Sequence, residues 1–300
     1  MKPAPFDYVA PHDLEELLSL RSQHGDDAKI LAGGQSLIPV LNFRLAKPSM
    51  LIDINRVSGL DGIGRSDDGS LSLGAMVRQS RAEIDPDVAR LAPLLHAAIP
   101  FIAHPQIRNR GTVGGSLAHA DPAAELPAVA IALEARFRLA NHSRSRWVEA
   151  GEFYTGLFST ELEPDEVLVE VRIPASKSDC GWGFEEFARR HGDYAQAGLV
   201  ATLSLHRDGT CKQAKLVYFS VGETPIEARR AAAVLQGIEP NSAAIAEAAE
   251  IAASEEVDPS SDIHSSAQFK RHLCRVLTTR VVEVALQRAR ARSDGGQIES

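Results

Sequence analysis

The first fifty residues alternate between one amphipathic helical pattern and short apolar runs. From Asp13 to Leu20, leucines recur at helical spacing behind early acidic residues, which predicts a helix. Apolar runs at 29–32 and 50–54 predict buried strands on either side of a turn that contains two adjacent glycines. The opening unit is therefore predicted to be strand, helix, strand, loop, strand.

The middle of the chain shows strand-like and helix-like spacing of apolar residues and ends at a predicted domain boundary. This spacing predicts strands at 71–75, 135–140 and 167–173 and a helix at 87–103. Pro174 and the polar stretch 175–179 close the last strand, because proline has no amide to donate to a sheet. We therefore predict a first domain over residues 1–177 and a second over 178–292.

The second domain is predicted to be a small antiparallel sheet plus helices, which makes the whole chain α+β. Alternation predicts strands at 181–187, 197–206 and 212–221, and helical periodicity predicts helices at 225–236, 242–253 and 266–292. The last helix has one apolar stripe, which includes Phe269 and Val284, and its arginines are expected to form a solvated face. The tail 293–300 is expected to be disordered.

Composition and charge narrow the classes of partner. The chain has 300 residues, a formal charge of −8 and a pI near 5.7, so no broad basic surface for nucleic acid is expected. No apolar run approaches the roughly 18 to 20 residues of a membrane span, and the N-terminus lacks the apolar core of a signal peptide. We expect a cytoplasmic protein without a membrane span.

The cysteines and histidines do not form a metal motif. Cys180, Cys211 and Cys274 stand alone at wide spacings, which favours structural or incidental thiols over a disulfide framework or a metal site. The histidines are scattered and show no paired ligand spacing. This chain by itself is predicted to bind no metal.

Two glycine pairs are the strongest candidate chemistry. Gly33-Gly34 and Gly114-Gly115 each follow or lie within a β-like run, and a serine follows each pair closely. Glycines allow successive backbone N–H groups to converge on an anion such as a phosphate. The Rossmann and Walker motifs are absent, and neither loop contains lysine, so a dinucleotide is favoured over a triphosphate. The alternative is that each pair is only a tight turn.

Acidic residues follow the second pair. Asp121 and Glu125 lie in "AHADPAAELP", where a carboxylate could accept hydrogen bonds from ribose hydroxyls. Alternatively, Asp121 caps a helix that Pro122 begins, with Glu125 completing a capping box. The cap is favoured for Asp121, and both interpretations stay open for Glu125.

Four motifs in order resemble one known family. "AGGQS" at 32–36, "TVGGS" at 112–116, "HADPAAELP" at 119–127 and "RRHGDYA" at 189–195 are similar to the FAD-binding medium subunit of molybdenum hydroxylases, the carbon monoxide dehydrogenase and xanthine dehydrogenase family. "FYTG" at 153–156 and "DEVLVEVRIP" at 165–174 also match in order, so the resemblance covers nearly the whole chain. It implies an FAD-binding domain of p-cresol methylhydroxylase type, built from two α/β subdomains, followed by a C-terminal domain.

The resemblance also implies roles for individual residues. Both glycine loops would cradle the FAD pyrophosphate, Glu125 would lie near the adenosine ribose, and Tyr194 would pack beside the isoalloxazine ring. An ordinary strand aromatic is the alternative for Tyr194. The candidate cofactor contacts are Ala32, Gly33, Gly34, Gln35, Ser36, Ile102, Thr112, Val113, Gly114, Gly115, Ser116, Asp121, Glu125, Val169 and Tyr194, with Ile102 and Val169 against the rings. No residue is expected to act as a nucleophile.

The resemblance implies partners as well. A small subunit would hold two [2Fe-2S] clusters and a large subunit the molybdenum pterin cofactor, in a dimer of heterotrimers. Electrons would pass from molybdenum through the clusters to FAD and then to an external acceptor. The chain departs from the family in two places: Ser116 stands where asparagine is common, and Glu185-Glu186 stand where the xanthine dehydrogenase branch has a lysine near the flavin.

Two other classes of function remain open from the sequence. One is a self-sufficient flavin reductase on the same cofactor fold, which would need its own substrate site and catalytic acid. The other is a non-enzymatic assembly module whose glycine turns are structural. A flavin spectrum distinguishes the flavin reductase from the assembly module. Dependence on partner subunits distinguishes an electron-transfer subunit from the flavin reductase.

Overall fold

The computed structural model describes residues 2–177 and 179–293, and within them helices and strands alternate in the α+β manner predicted. The first domain opens with three strands and two helices. These are β1 (Asp7–Val9), α1 (Leu14–His24), β2 (Ala28–Leu31), α2 (Leu37–Asn42) and β3 (Met50–Asp53). The strands form a parallel sheet in the order β1-β3-β2. The predicted loop between β2 and β3 therefore contains a short helix.

A larger antiparallel sheet and a helical layer complete the first domain. Its elements are β4 (Ile63–Arg65), β5 (Leu71–Gly74), α3 (Gln79–Ile84), α4 (Pro86–Leu91), α5 (Pro93–Ala98), α6 (Pro105–Arg108), α7 (Val113–His119), α8 (Glu125–Ala132), β6 (Arg136–Ala140), β7 (Ser145–Glu149), α9 (Ala150–Phe153), β8 (Tyr154–Gly156), β9 (Ser159–Thr160) and β10 (Val167–Ile173). The main sheet has the order β4-β5-β10-β6-β7, and β8 pairs with β9. Leu71, Leu73 and Phe137 are buried against α8, every residue of which is buried.

The predicted helix at 87–103 is broken. Pro93 starts α5 after Ala92, and a 3₁₀ turn, Ile99–Phe101, follows α5. Proline cannot donate the amide hydrogen bond that would continue the preceding helix, so the helical periodicity is distributed over consecutive short pieces.

The second domain is an antiparallel sheet covered by helices. It contains β11 (Cys180–Phe187), β12 (Ala197–Leu205), β13 (Cys211–Phe219), β14 (Ile226–Glu227), α10 (Arg229–Leu235), α11 (Ser242–Ile251) and α12 (Ala267–Ser293). The strand order is β11-β12-β13-β14. The predicted helix at 225–236 was wrong at its start, because Ile226 and Glu227 pair with β13 as strand β14.

The arginines of α12 form the predicted solvated face only in part: Arg290 is exposed, but Arg271 and Arg292 are bonded to backbone carbonyl groups. Arg271 donates to the carbonyl oxygens of Ala253 and Val257, and Arg292 donates to those of Lys177 and Cys180. These hydrogen bonds satisfy carbonyl groups at the end of a neighbouring helix and in the interdomain linker. The apolar stripe is also narrower than predicted, because Phe269 and Val284 are exposed.

Two further sequence predictions concern the C-terminal tail and membrane-spanning helices. The predicted disordered tail, 293–300, lies outside the described residues except for Ser293, where α12 ends. In the described part of the chain no helix is long and apolar enough to cross a membrane.

Candidate functional site

The two glycine loops lie against each other at the carboxyl end of β2. The Cα of Gly33 packs so closely on the backbone of Arg110 and Gly111 that a Cβ at Gly33 would overlap the Arg110 carbonyl oxygen. Ala32 lies near Gly115 as well, since a Cβ on Gly115 would be in van der Waals contact, at 3.4 Å, with that of Ala32. Loops almost eighty residues apart in sequence thus form one surface.

The backbone amides of the two loops differ in what they bind. In the second loop, Val113 N donates to Val77 O (2.9 Å), Gly114 N to Ala75 O (2.9 Å) and Gly115 N to the Thr112 hydroxyl (3.1 Å). Ser116 N donates to Thr112 O (3.1 Å). The first two bonds hold the start of α7 against the segment that follows β5, and the other two lie within the start of α7 itself. None of the four amides is free to bind an anion in this arrangement.

The amides of the first loop are free. Within the described part of the chain, no acceptor is present for the backbone N–H groups from Gly33 to Ser36. Gly34 has a positive φ of 73°, a conformation that favours glycine, and it turns the chain so that α2 can begin. A run of unpaired N–H groups in such a turn is a binding site for an anion.

The first loop lines a cleft of about 560 Å³. Its lining includes Asp53 and Asn55 after β3, Ile38 and Asn42 of α2, and the cation of Arg110. The cleft lies outside the carboxyl ends of the parallel strands β2 and β3, where α/β sheets commonly bind ligands. Asp53 accepts hydrogen bonds from the Tyr8 hydroxyl (2.6 Å) and Asn55 N (2.9 Å), which together with the nearby Arg56 lower its pKa despite partial burial.

Arg78 joins the two loops, and sequence reasoning missed it. Its guanidinium donates to Asn55 Oδ1 (2.6 Å) and to the carbonyl oxygen of Arg110, while Asn55 Nδ2 donates to Ala32 O (2.8 Å). Burial, and then the positive charge of Arg110, lower the pKa of Arg78. The two loops lack lysine, as the sequence shows, but tertiary structure brings two arginines beside them. The RNRG run directly before the second loop was the available signal for Arg110.

The segment after α7 corrects the capping hypothesis. Asp121 Oδ1 accepts from Ala123 N (2.9 Å) and so closes a turn, whereas α8 begins at Glu125 with Ala124 as its N-cap. No side chain caps α8. The helix therefore does not begin at Pro122, and Glu125 is not part of a capping box.

Glu125 is instead a buried carboxyl group near the second domain. It is 8% exposed, and burial raises its pKa to about 7, with a further contribution from Asp121. Burial of Glu186 on β11 likewise raises its pKa to about 8, and Glu125 is the charge that adds to this effect. The two domains thus place two carboxyl groups in one neighbourhood.

Tyr194 lies in the loop between β11 and β12, in the same neighbourhood. Its side chain is 71% exposed, and loss of hydration, followed by Asp121 and Glu125, raises the pKa of its hydroxyl. Ser220, which sequence reasoning also missed, fixes this loop: its hydroxyl donates to Ala195 O and its amide donates to Pro122 O (2.7 Å). Ser220 does so with a positive φ of 64°.

The remaining predicted contacts are buried elsewhere. Val169 is 2% exposed at an irregularity in the β10–β6 pairing, and its carbonyl oxygen accepts from Ala75 N (3.0 Å). Ile102 is 8% exposed, and its carbonyl oxygen accepts from Arg108 (3.0 Å). Their side chains belong to two different apolar clusters, so neither lines the cleft beside Gly33.

The described residues contain no group of three or more His, Cys, Asp or Glu side chains arranged to hold a metal ion. Cys180, Cys211 and Cys274 are free thiols. Burial raises the pKa of Cys211 to about 11 and that of Cys274 to about 12, which keeps both thiols protonated.

Comparison with known proteins gives one consistent result. Residues 4–176 match the family described as the FAD binding domain in molybdopterin dehydrogenase, and residues 182–285 match the CO dehydrogenase flavoprotein C-terminal domain. The 6-hydroxypseudooxynicotine dehydrogenase complex subunit alpha of Paenarthrobacter nicotinovorans is 43% identical over 97% of each chain.

Two solved structures are similar over nearly the full length. A chain of quinoline 2-oxidoreductase from Pseudomonas putida 86 is 42% identical, with a TM-score of 0.91 over 96% of this chain and 99% of that one. A chain of carbon monoxide dehydrogenase from Hydrogenophaga pseudoflava, in a form lacking the Mo-pyranopterin moiety, is 38% identical, with a TM-score of 0.92 and the same coverage.

Proposed function

Because this chain belongs to the family of FAD-binding medium subunits of molybdenum hydroxylases, we propose that it carries electrons from another subunit of a larger complex to an acceptor. The donor is a small subunit with [2Fe-2S] clusters, and a large subunit holds the molybdenum pterin cofactor where substrate is oxidised. The acceptor is external to the complex. A dimer of heterotrimers and a cytoplasmic location are part of the same proposal.

The observation that carries the proposal is the free amide run from Gly33 to Ser36, which faces a cleft edged by Arg110. A pyrophosphate carries negative charge and many acceptor oxygens, and it pairs well with convergent N–H groups and a guanidinium. Apart from Asp53 and Arg110, the cleft is lined by backbone and by amide and aliphatic side chains, which suit the neutral remainder of a dinucleotide. These residues therefore fit FAD.

Each predicted contact keeps a role in the proposal. The amides of Gly33, Gly34, Gln35 and Ser36 bind the phosphate oxygens, while Ala32 supports them through its contact with Gly115. The second loop contributes its surface and the hydroxyls at its two ends, because its amides are already bonded. The second-loop residues in this role are Thr112, Val113, Gly114, Gly115 and Ser116.

The contacts beyond the phosphates lie towards the second domain. Glu125 is proposed near the adenosine ribose of the cofactor, with Asp121 in the same segment, and Tyr194 beside its isoalloxazine ring. Ile102 and Val169 are buried, so we propose that they contact the rings through their backbone and the edges of their side chains.

A bound flavin supplies the ability to accept electrons singly and release them as a pair. The chain's own residues bind and orient it. Tyr194 is exposed enough to cover one face of a ring and to limit the access of water to it. No nucleophilic side chain is needed for this function.

The test begins with the purified full chain. We expect an oxidised flavin spectrum and the release of intact FAD on denaturation, because the cofactor is held without a covalent bond. Dithionite should reduce the bound FAD. Purines, N-heterocycles, aldehydes and carbon monoxide, added anaerobically one at a time, should leave it oxidised.

The same substrates are then tested with the cluster-bearing and molybdenum-bearing subunits present. One of them should now reduce the flavin. A colourless chain that does not take up added FAD contradicts the cofactor assignment. Reduction of the flavin by one of these substrates without partners contradicts the electron-transfer role and indicates a self-sufficient flavoenzyme.

A further inference from the structure

The peptide group between Ala32 and Gly33 is held from a distant part of the chain. Its carbonyl oxygen, on Ala32, accepts a hydrogen bond from Nδ2 of Asn55 (2.8 Å), which lies just after β3. This peptide bond is trans, and in a planar trans peptide the C=O and N–H bonds point in opposite directions. The bond from Asn55 therefore directs the N–H of Gly33 away from Asn55, and this N–H has no acceptor within the described residues.

The next two peptide groups of the first loop are held locally. The carbonyl oxygen of Gly33 accepts from Gln35 Nε2 (3.3 Å), and that of Gly34 accepts from Ile38 N in α2 (3.0 Å). By the same geometry, these bonds set the directions of the N–H groups of Gly34 and Gln35. The orientation of these two amides depends on neighbours in sequence, whereas that of the Gly33 amide depends on Asn55.

The side-chain amide of Asn55 has no N–H left for a ligand. Its Nδ2 carries two hydrogens, and it donates to Ala32 O and to Asp53 Oδ1 (2.5 Å). The backbone amide of Asn55 also donates to Asp53 Oδ1 (2.9 Å). Asn55 lines the cleft, but its donors are occupied in this arrangement. It can therefore act on an anion only through the peptide group that it holds.

Arg78 fixes which way the Asn55 side chain faces. Its guanidinium donates to Asn55 Oδ1 (2.6 Å), so the oxygen of the amide must face Arg78 and the nitrogen must face Ala32. The same guanidinium donates to the carbonyl oxygen of Arg110, on which Gly33 packs. A guanidinium is planar and its donors have fixed directions, so one side chain can hold both oxygen atoms in place.

The first loop needs such support because of its two glycines. Gly33 and Gly34 have no Cβ, so the peptide groups beside them have more rotational freedom than those of other residues. A donor that is already oriented binds an anion more tightly than one that must be ordered on binding. Fixing the peptide between Ala32 and Gly33 therefore favours binding without adding a contact to the ligand.

We propose that Asn55, itself held by Arg78, is a positioning residue for the pyrophosphate of FAD, because it aims the N–H of Gly33 at the anion. The inference rests on the FAD site proposed above. Loss of the Asn55 amide should leave the loop in place through its contact with Arg110, while the peptide before Gly33 becomes free to turn.

The experiment measures the Kd of the full apoprotein for FAD by fluorescence titration, and the displacement of FAD by inorganic pyrophosphate. Asn55→Leu replaces the amide by an uncharged group of similar size. We expect the Kd for FAD and the inhibition constant for pyrophosphate each to rise about 10-fold, the smaller effect of losing one hydrogen bond to a charged group. Arg78→Lys keeps the positive charge but loses the planar pair of donors, and a rise of similar size is expected.

Asn241→Leu is the matched control. Asn241 also bonds to the backbone, because its side chain caps α11 by accepting from Ala244 N (3.0 Å), but it lies in the second domain. Its loss should lower the free energy of unfolding measured with urea and leave both binding constants unchanged, as expected of a bond whose role is only structural.

Unchanged constants in Asn55→Leu, or the same rise in Asn241→Leu, would overturn the inference. A rise for FAD without a rise for pyrophosphate would also overturn it, as would pyrophosphate that does not displace FAD from the wild type. If Asn55→Leu does not fold, Arg78→Lys decides alone, and wild-type affinity there would show that charge is needed and orientation is not. A wild-type chain that takes up no FAD would instead refute the proposed function.

Discussion

Gly33 and Arg110 touch through their backbones, with the carbonyl oxygen of Arg110 in the place that a side chain at position 33 would occupy. This contact holds the free amides of the first loop beside the second loop. The glycine is therefore required by the protein's own packing, even before any ligand approaches its Cα.

Gly33→Ala should destabilise the loop pair even before FAD is added. A methyl group forced against backbone atoms typically costs about 1–3 kcal/mol, because the backbone must shift to admit it. The free energy of unfolding of the apoprotein, measured with urea, should fall by about this amount, and FAD occupancy should fall with it. Gly62→Ala is the control, since no atom lies within 4 Å of the Cβ position there. If Gly33→Ala keeps both its stability and full FAD occupancy, the close contact between Gly33 and Arg110 is not needed for folding or for FAD binding.

Arg110→Gln should weaken FAD binding without loss of stability. The Arg110 side chain is exposed at the edge of the cleft and makes no hydrogen bond within the described residues. A hydrogen bond to a charged group contributes about 1.5–3 kcal/mol, so the Kd for FAD should rise roughly 10- to 150-fold in a fluorescence titration. Arg207→Gln, in the exposed turn after β12, should leave the Kd unchanged. Equal affinities of the two variants would remove Arg110 from the phosphate site.

Two substitutions at Ser220 separate the effect of backbone strain on stability from the effect of the side-chain hydrogen bond. Ser220→Ala keeps the positive φ and loses the hydrogen bond to Ala195 O, which should lower the free energy of unfolding by about 1 kcal/mol. Ser220→Gly loses the same bond but relieves a conformation that costs a non-glycine residue about 1–2 kcal/mol, so its stability should match or exceed that of the wild type. Urea unfolding of both variants checks this order, and the reverse order would mean that the backbone at position 220 is not strained.

The stability of the apoprotein should fall as the pH rises from the ordinary glutamate range to about 8. Burial raises the folded-state pKa of Glu125 to about 7 and of Glu186 to about 8, from a model value of 4.5. The folded state therefore binds more protons than the unfolded state in this window, and its advantage is lost as the pH passes the folded pKa values. One such group gives a slope of at most about 1.4 kcal/mol per pH unit.

Thermal melts across this range check the slope. Glu186→Gln should flatten it, since the amide does not titrate, while Glu185→Gln should not, because Glu185 is paired with Arg280 on the other face of β11. The prediction is contradicted if the melting temperature of the wild type rises between pH 5 and 8 and this rise is lost in Glu186→Gln, because a carboxyl group buried in its protonated form must lower stability as it ionises.

Sequence alone determined the α+β class and the candidate loops for physical reasons that are local. The apolar runs before Gly33 and at β3 predict strands because the hydrophobicity of neighbouring residues is enough to show a buried strand. The glycine pairs were recognisable because a sharp turn depends on residues that are adjacent in the chain. Periodicity failed at 87–103, where Pro93 interrupts a helix whose apolar spacing continues across the break.

Only the tertiary structure decided which backbone amides of the two glycine loops are free to bind a ligand. The amides of Val113 and Gly114 are bonded because Val77 and Ala75 lie opposite them, and the amides from Gly33 to Ser36 are free because no strand or helix does. The same is true of charge. Glu186 is next to Glu185 in sequence, yet the carboxyl group of Glu185 accepts a hydrogen bond from Arg280, whereas Glu186 has a buried oxygen without a hydrogen-bond partner among the described residues. Sequence specifies the groups, but hydrogen bonding and pKa depend on the partners that folding brings from distant parts of the chain.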